Sequence, residues 1–381
     1  MDKQMRMVAK TFQGLEEVLA QEIRSIGGQN VKPTKRAVEF EGDQEVLYRA
    51  NFYCRTALRI LKVIDTFPIK EVDDLYNGVY QIDWNQFLNT RKTFMVNSTA
   101  NNELFDNTMF VSLKVKDAVA DFFRKRLGAR PSVDTINPDV IINVHVSGDK
   151  CSIALDSSGE SLHKRGYRTA QTEAPLNEVL AAGLIMLSGW DGSSDFIDPM
   201  CGSGTLSIEA ALIAKGIPPG MFRESFAFEK WRDFDRNLFL DMSEDYNEKN
   251  LSCKIFTSDI SLKSINVAKE NIKSACLGKD LNPVIKDFGN FTPESESAVI
   301  IMNPPYGERL NPDHLLDTYE MIGERLKHHC PNHTAWIISY SKECFDKIGL
   351  KSSQRMYLYN GALECQYREY EMYEGSKKNK A

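Results

Sequence analysis

Hydrophobic and polar residues of the first 65 positions follow two different periods. Alternation with a period of two predicts strands, and apolar residues three to four positions apart predict helices. The predicted order, β-α-β-β-α-β, is that of a ferredoxin-like unit, so we predict an α+β domain over residues 1–65. The predicted strands cover 5–12, 31–34, 37–40 and 58–67, and the predicted helices cover 15–23 and 44–52.

Residues 66–158 show a second α+β pattern of helix, strand, long helix and hairpin. The layout resembles that of a THUMP domain, a module of RNA-modifying enzymes, and the resemblance implies RNA binding. The long helix should bury one apolar face and end at Gly128, because glycine favours the left-handed conformation of a helix C-terminus. The predicted elements cover 72–80, 93–98, 107–127, 140–146 and 151–155, with Phe110, Leu113, Ala118, Phe122 and Leu127 as the apolar positions of the long helix.

Short apolar strands alternate with helices from residue 173 onward, after a linker predicted over 159–172. Alternation of this kind indicates a parallel sheet with helices on both faces, so we predict an α/β domain over 173–381. The predicted strands cover 194–197, 254–258, 298–302 and 334–339, and the predicted helices cover 173–187, 206–214, 262–275 and 315–327.

Composition and length are typical of a multidomain globular protein. The 381 residues are 42% hydrophobic and 26% charged, and no apolar run approaches the roughly 18–20 residues of a membrane helix. The eight cysteines include no closely spaced pair, and Pro331 interrupts the histidine-rich stretch 328–333 that has the best metal-ligand spacing. We therefore expect a cytoplasmic protein with reduced cysteines, no membrane association and no metal. The sequence leaves the oligomeric state open.

Charge is unevenly distributed along the chain. Residues 1–170 carry 24 Lys and Arg against 22 Asp and Glu, whereas residues 171–381 carry 23 against 31. Basic surfaces bind nucleic-acid phosphates, so the first part is the expected RNA-binding part. Charge alone favours the alternative that these residues form a solvated helix face. The candidate RNA-binding residues are Arg124, Lys125, Arg126, Arg130, Lys164, Arg165 and Arg168.

A loop with the sequence DPMCGSGT occupies positions 198–205, between a predicted strand and a predicted helix. Gly202 and Gly204 allow the main chain to approach a ligand closely, and the following helix offers free N–H groups. In a doubly wound sheet this position binds a nucleotide-like ligand. The nicotinamide fingerprint fails, because its third glycine position is Ser207 and no acidic residue stands at the required place about 20 positions later.

One carboxylate follows the next predicted strand, and another follows the region where a further strand is expected. Asp259 comes directly after 254–258 and could accept hydrogen bonds from ribose hydroxyls. Asp287 could accept a hydrogen bond from the exocyclic amine of adenine. One acidic loop residue is weak evidence, because most are merely solvated. Together with Asp198, three carboxylates after three successive strands favour a nucleotide-type cofactor.

The sequence NPPYG at positions 303–307 directly follows the apolar strand 298–302. Its prolines fix φ and leave the Asn303 side chain and the Pro304 carbonyl as rigid acceptors, with Tyr306 as a stacking surface. Such acceptors hold a planar conjugated amine and favour a pyramidal nitrogen whose lone pair faces an electrophilic methyl group. Asparagine is not a strong base, so catalysis would depend on positioning and electrostatics. The alternative is a surface turn, for which these residues are common.

The DPMCGSGT loop, the two later carboxylates and NPPY, in this order, resemble the Rossmann-like S-adenosylmethionine-dependent methyltransferases. NPPY marks the branch that acts on amino nitrogens of nucleobases or of glutamine. The stretches 155–168, 174–178 and 226–231 are similar to segments of THUMP-containing guanine-N2 methyltransferases that act on 23S rRNA in bacteria. The resemblance implies the α/β fold class, with a Rossmann-like methyltransferase domain preceded by a ferredoxin-like plus THUMP RNA-binding module of α+β type.

The resemblance also implies how S-adenosyl-L-methionine would be bound. Asp198 and the two loop glycines would contact its methionine end. Asp259 would hold the ribose, and Asp287 with Phe288 would hold the adenine. The cofactor-binding residues are expected to be Asp198, Met200, Cys201, Gly202, Gly204, Thr205, Asp259, Ile260, Asp287, Phe288 and Asn303.

The same resemblance implies the catalytic residues. Asn303 and Pro304 would hold the guanine amine, and Tyr306 would stack on the base after the base has left its own stack. The expected catalytic residues are Asn303, Pro304, Pro305 and Tyr306.

Four alternatives remain at this point. The expected partner is RNA, with 23S rRNA favoured, but the same chemistry could act on guanine in tRNA. NPPY also serves DNA adenine-N6 methyltransferases, against which the THUMP-like segment argues. A non-catalytic RNA-binding factor of ribosome assembly could keep the fold, and a test for bound S-adenosylmethionine separates it. A nicotinamide oxidoreductase is disfavoured by the failed fingerprint.

Overall fold

The computed structural model describes residues 4–173, 175–305, 312–361 and 363–374. The chain folds as two units, each with its own dense packing. Segment 223–245, which the sequence pattern places in the α/β domain, packs with the first unit. The first unit consists of Met1–Thr11, Leu19–Leu162 and Arg223–Asp245, and the second consists of Phe12–Val18, His163–Phe222 and Tyr246–Ala381.

Strands and helices make up most of the described chain. The strands are β1 (Met5–Lys10), β2 (Gln29–Thr34), β3 (Ala37–Gly42), β4 (Arg59–Pro68), β5 (Thr93–Asn101), β6 (Ser132–Val133), β7 (Val140–Ser147), β8 (Lys150–Asp156), β9 (Asp195–Asp198), β10 (Ile255–Asp259), β11 (Val284–Ile285), β12 (Ala298–Met302), β13 (Thr334–Ser339), β14 (Gln354–Asn360) and β15 (Leu363–Glu371). The helices are α1 (Glu16–Ser25), α2 (Gln44–Tyr53), α3 (Val72–Gln81), α4 (Thr108–Leu127), α5 (Glu178–Leu187), α6 (Thr205–Lys215), α7 (Arg236–Glu244), α8 (Leu262–Ser274), α9 (Pro312–His329) and α10 (Lys342–Lys347). Short 3₁₀ helices cover Trp84–Gln86, Pro219–Phe222, Ala227–Lys230 and Phe288–Asn290.

The first unit is built on one eight-stranded sheet with the order β2-β3-β1-β4-β8-β7-β5-β6. Its first four strands have the ferredoxin-like arrangement that the sequence predicts. Strand β4 pairs antiparallel with β1 on one side and with β8 on the other. The domain boundary expected between residues 65 and 66 therefore falls within β4, a strand that both halves of the sheet share.

Segment 223–245 completes the core beside α2. The ring of Phe228 stacks on Tyr48 with 4.5 Å between centroids and on Phe226 with 5.2 Å. Phe226 and Phe228 are both buried. The sequence shows only that 226–231 resembles a segment of the methyltransferase family. The structure shows that the aromatic side chains of this segment are part of the hydrophobic core.

The long helix α4 ends at Gly128, which has φ +70° as expected for its left-handed cap. The prediction of its buried face is partly wrong. Phe110, Leu113 and Leu127 are exposed, because α4 carries apolar residues around much of its circumference and periodicity does not select among them. The face packed into the core consists of Val111, Val115, Ala118, Val119, Phe122 and Phe123.

The second unit contains a seven-stranded sheet with the order β11-β10-β9-β12-β13-β15-β14. The first five of these strands are parallel, as predicted. The neighbours Ile300 and Ile301 on β12 point to opposite faces and are both fully buried, so the sheet is covered on both sides. Parallel pairing brings the carboxyl ends of β9, β10, β12 and β13 to one edge.

Two predictions for this unit are wrong. The sheet is not entirely parallel, because β15 runs antiparallel to β13 and β14 runs antiparallel to β15. Helix α5 begins at Glu178 rather than at residue 173. Pro175 disfavours a helical residue before it, and the Asn177 side chain caps the helix by accepting hydrogen bonds from the N–H groups of Val179 and Leu180.

Candidate active site

The loop after β9 is shaped by two glycines in left-handed conformations. Gly202 has φ +54°, and Gly204 has φ +80° and forms the N-cap of α6. A Cβ atom on Gly204 would lie 3.2 Å from the Cβ of Ala268, so this position also needs a small residue. The N–H of Cys201 donates to the Ser258 carbonyl at 2.9 Å, which fixes the loop against β10. The loop presents its main chain to a large cavity.

Asp198, the last residue of β9, is fully buried behind this loop. Its Oδ2 accepts hydrogen bonds from the Ser207 N–H at 3.2 Å and from the Ser207 hydroxyl at 2.8 Å. Its Oδ1 has no hydrogen-bond partner among the described residues. Burial raises the pKa of this carboxyl to about 7. Asp198 therefore anchors the first turn of α6, and its expected contact with the cofactor does not follow from this structure.

Asp259 ends β10 and faces the cavity. Its Oδ2 accepts from the Gly202 N–H at 2.9 Å, and its Oδ1 accepts from the Ser261 N–H at 2.8 Å. Each carboxylate oxygen keeps a further lone pair for a ligand hydroxyl. The next residue, Ile260, is an exposed apolar side chain on the same wall.

Asp287 and Phe288 follow the short strand β11 and also line the cavity. The Asp287 Oδ1 accepts from the Gly289 N–H at 2.9 Å. The Phe288 ring is buried and stacks on Phe291 with 5.5 Å between centroids. The main-chain N–H of Lys286 donates to the Asp259 carbonyl at 3.0 Å, which keeps the two carboxylates on neighbouring strand ends.

The NPP part of NPPY follows β12 at the same edge. Asn303, Pro304 and Pro305 line the cavity. The Asn303 Oδ1 is buried and has no hydrogen-bond partner among the described residues. An acceptor in this state costs free energy unless a ligand supplies a donor. Tyr306 lies outside the described residues, so its expected stacking role stays a prediction.

These segments surround one cavity of about 1470 Å³ in the second unit. Of the expected cofactor-binding residues, Asp198 and Gly204 are not on its wall. The expected residues that line it are Met200, Cys201, Gly202, Thr205, Asp259, Ile260, Asp287, Phe288 and Asn303. Lining residues that the sequence analysis missed are Thr172, Glu173, Pro175, Leu176, Pro199, Ser203, Leu206, Lys263, Ser264, Thr318, Met321, Tyr340, Asn360 and Leu363.

Some of the missed residues carry a signal in the sequence. Tyr340 directly follows the apolar strand β13, just as Asn303 follows β12, and strand ends at one sheet edge share a site. Asn360 and Gly361 form an Asn-Gly pair, the strongest short-range sign of a hairpin turn. The β14–β15 hairpin around that pair was not predicted, because its strands mix charged and aromatic residues.

Arg165, which the sequence predicts to bind RNA, has a structural role instead, so the prediction is wrong for this residue. The Arg165 side chain is only 2% exposed, and its Nε lies 3.4 Å from Glu209 Oε1. The Tyr167 hydroxyl donates to the same Glu209 oxygen at 2.9 Å. Buried in this way, Arg165 cannot reach a phosphate.

Arg168 connects two walls of the cavity. Its guanidinium donates to Ser203 Oγ and Thr205 Oγ1 at 2.9 Å each, to Glu178 Oε1 at 2.6 Å and to the Leu176 carbonyl at 3.0 Å. The first two acceptors belong to the glycine loop and the other two to the segment entering α5. Arg168 therefore holds these segments together, and four of its five N–H groups donate to acceptors within the protein.

Asn271 of α8 reinforces this link and is itself buried. Its Oδ1 accepts from the N–H groups of Thr169 and Ala170 at 3.0 and 3.1 Å. Its Nδ2 donates to the carbonyls of Ala170 and Ser203 at 3.0 Å each. The loop and the 168–176 segment are thus fixed before any ligand binds.

The other candidate RNA-binding residues are exposed. Lys125 Nζ lies 4.8 Å from the Tyr80 ring centroid, and the Arg126 guanidinium lies 3.7 Å from that of Phe122. These contacts hold the side chains at the end of α4 while their charges stay accessible. The exposed candidates are Arg124, Lys125, Arg126, Arg130 and Lys164.

The donors and acceptors of the cavity fit S-adenosylmethionine. Carboxylates at Asp259 and Asp287 provide acceptors for ribose hydroxyls and for an adenine amine, and Phe288 provides an aromatic edge. The acidic wall also suits a cofactor that carries a sulfonium and an ammonium group.

Comparisons with known proteins place the chain in a family. Residues 165–369 match the family described as RMKL-like, methyltransferase domain, residues 70–156 match the THUMP domain, and residues 6–61 match the RlmL ferredoxin-like domain. The chain belongs to the RMKL-like methyltransferases that carry a THUMP domain. It is an S-adenosylmethionine-dependent RNA methyltransferase, which confirms the predicted cofactor and the predicted RNA partner.

Individual relatives agree with this assignment. A candidate RNA methyltransferase of Synechocystis, slr0064, is 37% identical over 369 residues, which are 96% of each chain. The ribosomal RNA large subunit methyltransferase K/L of Methylococcus capsulatus is 38% identical over 362 residues, which are 92% of this chain and 49% of that protein. This chain spans about half the length of the K/L relatives.

A solved structure shows the same fold with a cofactor product. SMU.472, a candidate methyltransferase crystallised with S-adenosylhomocysteine, is 29% identical and superposes with a TM-score of 0.89 over 99% of this chain and 100% of that one. Among the described residues, no helix is long and apolar enough to cross a membrane. The same residues contain no group of three or more His, Cys, Asp or Glu side chains arranged to hold a metal ion.

Proposed function

We propose that this enzyme transfers a methyl group from S-adenosylmethionine to the exocyclic N2 amine of a guanine in 23S rRNA. The observation that carries the proposal is the buried Oδ1 of Asn303 on the cavity wall, which accepts no hydrogen bond from the part of the chain that the structure describes. Beside it stand two prolines that fix the main chain. An amine bound there would supply a hydrogen-bond donor to this acceptor.

The chemistry must overcome the low nucleophilicity of an aromatic amine. Its lone pair is delocalised into the ring, so the nitrogen is a weak nucleophile. Hydrogen bonds accepted by the Asn303 side chain and the Pro304 carbonyl favour the pyramidal form, in which the lone pair is localised. S-adenosylmethionine supplies the electrophilic methyl group when bound. The nitrogen–methyl bond forms as the sulfur–methyl bond breaks, and the amine proton leaves to solvent because asparagine does not take it up.

The choice of large-subunit rRNA as the substrate is supported by relatives, and the choice of guanine rests on the resemblance of the sequence motifs. The K/L proteins are named as methyltransferases of large-subunit ribosomal RNA. The target base must leave its stack to reach the cavity, since an amine in a helix cannot approach Asn303. An RNA substrate of this kind places the enzyme in the cytoplasm.

We also propose that different segments of the chain bind RNA and carry out methyl transfer. Residues 1–65 and 66–158, joined by one sheet and completed by segment 223–245, would hold RNA. The exposed basic side chains at the end of α4 would contact phosphates. Residues 159–172 would act as the linker, and residues 173–381 apart from segment 223–245 would carry the transfer.

The proposal is tested with purified protein and S-adenosylmethionine labelled in the methyl group. The acceptors are 23S rRNA, tRNA and genomic DNA from a strain that lacks the gene, and the products are separated as nucleosides. Labelled N2-methylguanosine from 23S rRNA is the expected result. The same product from tRNA alone would move the substrate to tRNA, and N6-methyladenine from DNA would overturn the guanine proposal.

A further inference from the structure

The cavity extends beyond the residues that suit the cofactor. Single small-molecule sites usually measure about 300–1,000 Å³, and this cavity measures about 1470 Å³. The additional wall lies past Asn303 and comes from α9, from the residue after β13 and from the β14–β15 turn. We call it the hairpin wall, and it consists of Thr318, Met321, Tyr340, Asn360 and Leu363.

Sheet register places Tyr340 beside the NPP segment. Strands β12 and β13 are parallel, and Met302 stands opposite Ile337. Tyr340 directly follows β13 and Pro305 is the third residue after β12, so both residues lie beyond the carboxyl ends of neighbouring parallel strands. Both residues line the cavity.

The main chain around Tyr340 is fixed on both sides. Before it, the Ser339 hydroxyl bonds with the buried Tyr319 hydroxyl at 3.0 Å and accepts from the Ser341 N–H at 3.3 Å. After it, the Ser341 side chain caps α10 by accepting from the Cys344 N–H at 3.2 Å. Tyr340 is nevertheless 39% exposed. A partly exposed tyrosine on a cavity wall is suited to stacking on a planar ligand.

The hairpin turn adds apolar surface and a polar edge. Leu363 is 48% exposed although it is apolar, and it pairs with Asn360 across the turn. A carboxamide such as that of Asn360 contains one acceptor and one kind of donor. A guanine whose N2 amine lies at Asn303 has N1–H and O6 left on the same edge, which require one acceptor and one donor.

We propose that the hairpin wall is the binding site for the target purine, with Tyr340 as its stacking residue and Asn360 as a specificity residue for the N1–H and O6 edge. Met321 and Leu363 would pack against the remaining ring surface. This inference rests on the proposed methyl transfer to a nucleobase amine. It adds to that function a second, aromatic contact that comes from a part of the fold absent from the predicted motifs.

The test compares Tyr340→Ala, Tyr340→Phe and Asn360→Leu with the matched control Tyr357→Ala, whose exposed tyrosine is not on the cavity wall. Methyl transfer is measured with labelled S-adenosylmethionine on the same three nucleic acids, and binding of S-adenosylhomocysteine is measured by calorimetry. Calorimetry shows that each variant is folded, since the cofactor residues are unchanged.

Tyr340→Ala should lower kcat/KM for the nucleic acid about 5- to 150-fold, the range observed for loss of one stacked base. Tyr340→Phe should stay within about threefold of the wild type, because it keeps the ring. Asn360→Leu should lower kcat/KM about fivefold or more. In all of them, and in the control, the affinity for S-adenosylhomocysteine should stay within about twofold.

Each outcome decides one of the two proposals. Full activity of Tyr340→Ala, or an equal loss in Tyr340→Phe, would overturn the stacking role. Full activity of Asn360→Leu would remove that residue from the site. If the wild type yields methyladenine and Tyr340→Ala abolishes it, the base site stands and the guanine proposal fails. If the wild type transfers no methyl group to any of these acceptors, both fail.

Discussion

The main-chain N–H of Gly202 donates a hydrogen bond of 2.9 Å to Oδ2 of Asp259. This bond ties the glycine loop after β9 to the end of the neighbouring strand β10. The carboxylate thus orients the loop and faces the cavity at the same time. Loss of the side chain should therefore affect cofactor binding in two ways.

We expect Asp259→Ala to weaken binding of S-adenosylhomocysteine about tenfold or more, because it removes a charged acceptor and frees the loop. Affinity for RNA should remain that of the wild type. Isothermal calorimetry for the cofactor product and filter binding for RNA measure the two effects. Asp346→Ala, an exposed aspartate in the same unit, is the matched control. Unchanged cofactor affinity in Asp259→Ala would contradict the assignment.

Asn303→Ala should lower the rate of methyl transfer about 100-fold or more, because it deletes the acceptor aimed at the amine. Affinity for S-adenosylhomocysteine should change little, since the cofactor residues remain. Single-turnover transfer with saturating cofactor measures the chemical step. Asn250→Ala, at an exposed position, controls for loss of an asparagine amide. A normal single-turnover rate in Asn303→Ala would eliminate its catalytic role.

Arg168→Ala should lower the free energy of unfolding by about 3 kcal/mol, since Glu178 is buried and would lose its charged partner. It should also raise the KM for S-adenosylmethionine, because Ser203 and Thr205 lose their common donor. Chemical denaturation and steady-state kinetics measure these effects. If Arg168 instead served RNA, its variant would change the salt dependence of RNA binding while stability stayed normal.

Replacement of Arg124, Lys125 or Arg130 by Gln should weaken binding of all RNA sequences to the same degree. Each lost phosphate contact should reduce the slope of log affinity against log salt by about 0.7–0.9. Filter binding at several salt concentrations measures this slope. Arg24→Gln, an exposed arginine on α1, should leave it unchanged. Equal slopes for all variants would move the RNA surface elsewhere.

The Asp198 carboxyl has a pKa of about 7 because it is buried, whereas an unfolded chain ionises aspartate near 3.9. Its folded-state pKa is raised, so its contribution to stability is complete below about pH 4 and is lost as pH rises to about 7. Asp198→Asn should therefore gain stability relative to the wild type by up to about 1.4 kcal/mol per pH unit across that window. Unfolding measured at pH 4.5, 6 and 7.5 tests this. A difference that does not vary with pH would contradict the buried, protonated state.

The sequence predicts well those parts of the site that combine a strand end with a distinctive short motif. The glycine loop, Asp259, Asp287 and the NPP segment each follow an apolar strand, and parallel strands bring their carboxyl ends together. The glycines of the loop and the prolines of the NPP segment also determine the main-chain conformation there. Local sequence and global fold therefore specify the same arrangement.

Other features depend on contacts between distant segments, which periodicity does not reveal. Arg165 and Arg168 lie in a basic stretch, but their buried carboxylate partners Glu209 and Glu178 are 44 and 10 residues away. The β14–β15 hairpin mixes charged residues with aromatic ones and so lacks the apolar run of a buried strand. Tyr340 does follow a predicted strand, but no distinctive short motif around it marks it as a site residue.

The central claim is that the enzyme methylates guanine N2 in 23S rRNA, and the most direct test is nucleoside mass spectrometry of 23S rRNA and tRNA from a strain without the gene. The parent strain and strains complemented with wild type or Asn303→Ala are compared with it. N2-methylguanosine should decrease in 23S rRNA alone, return with the wild type and stay low with the variant. An unchanged content of N2-methylguanosine in 23S rRNA would contradict the account.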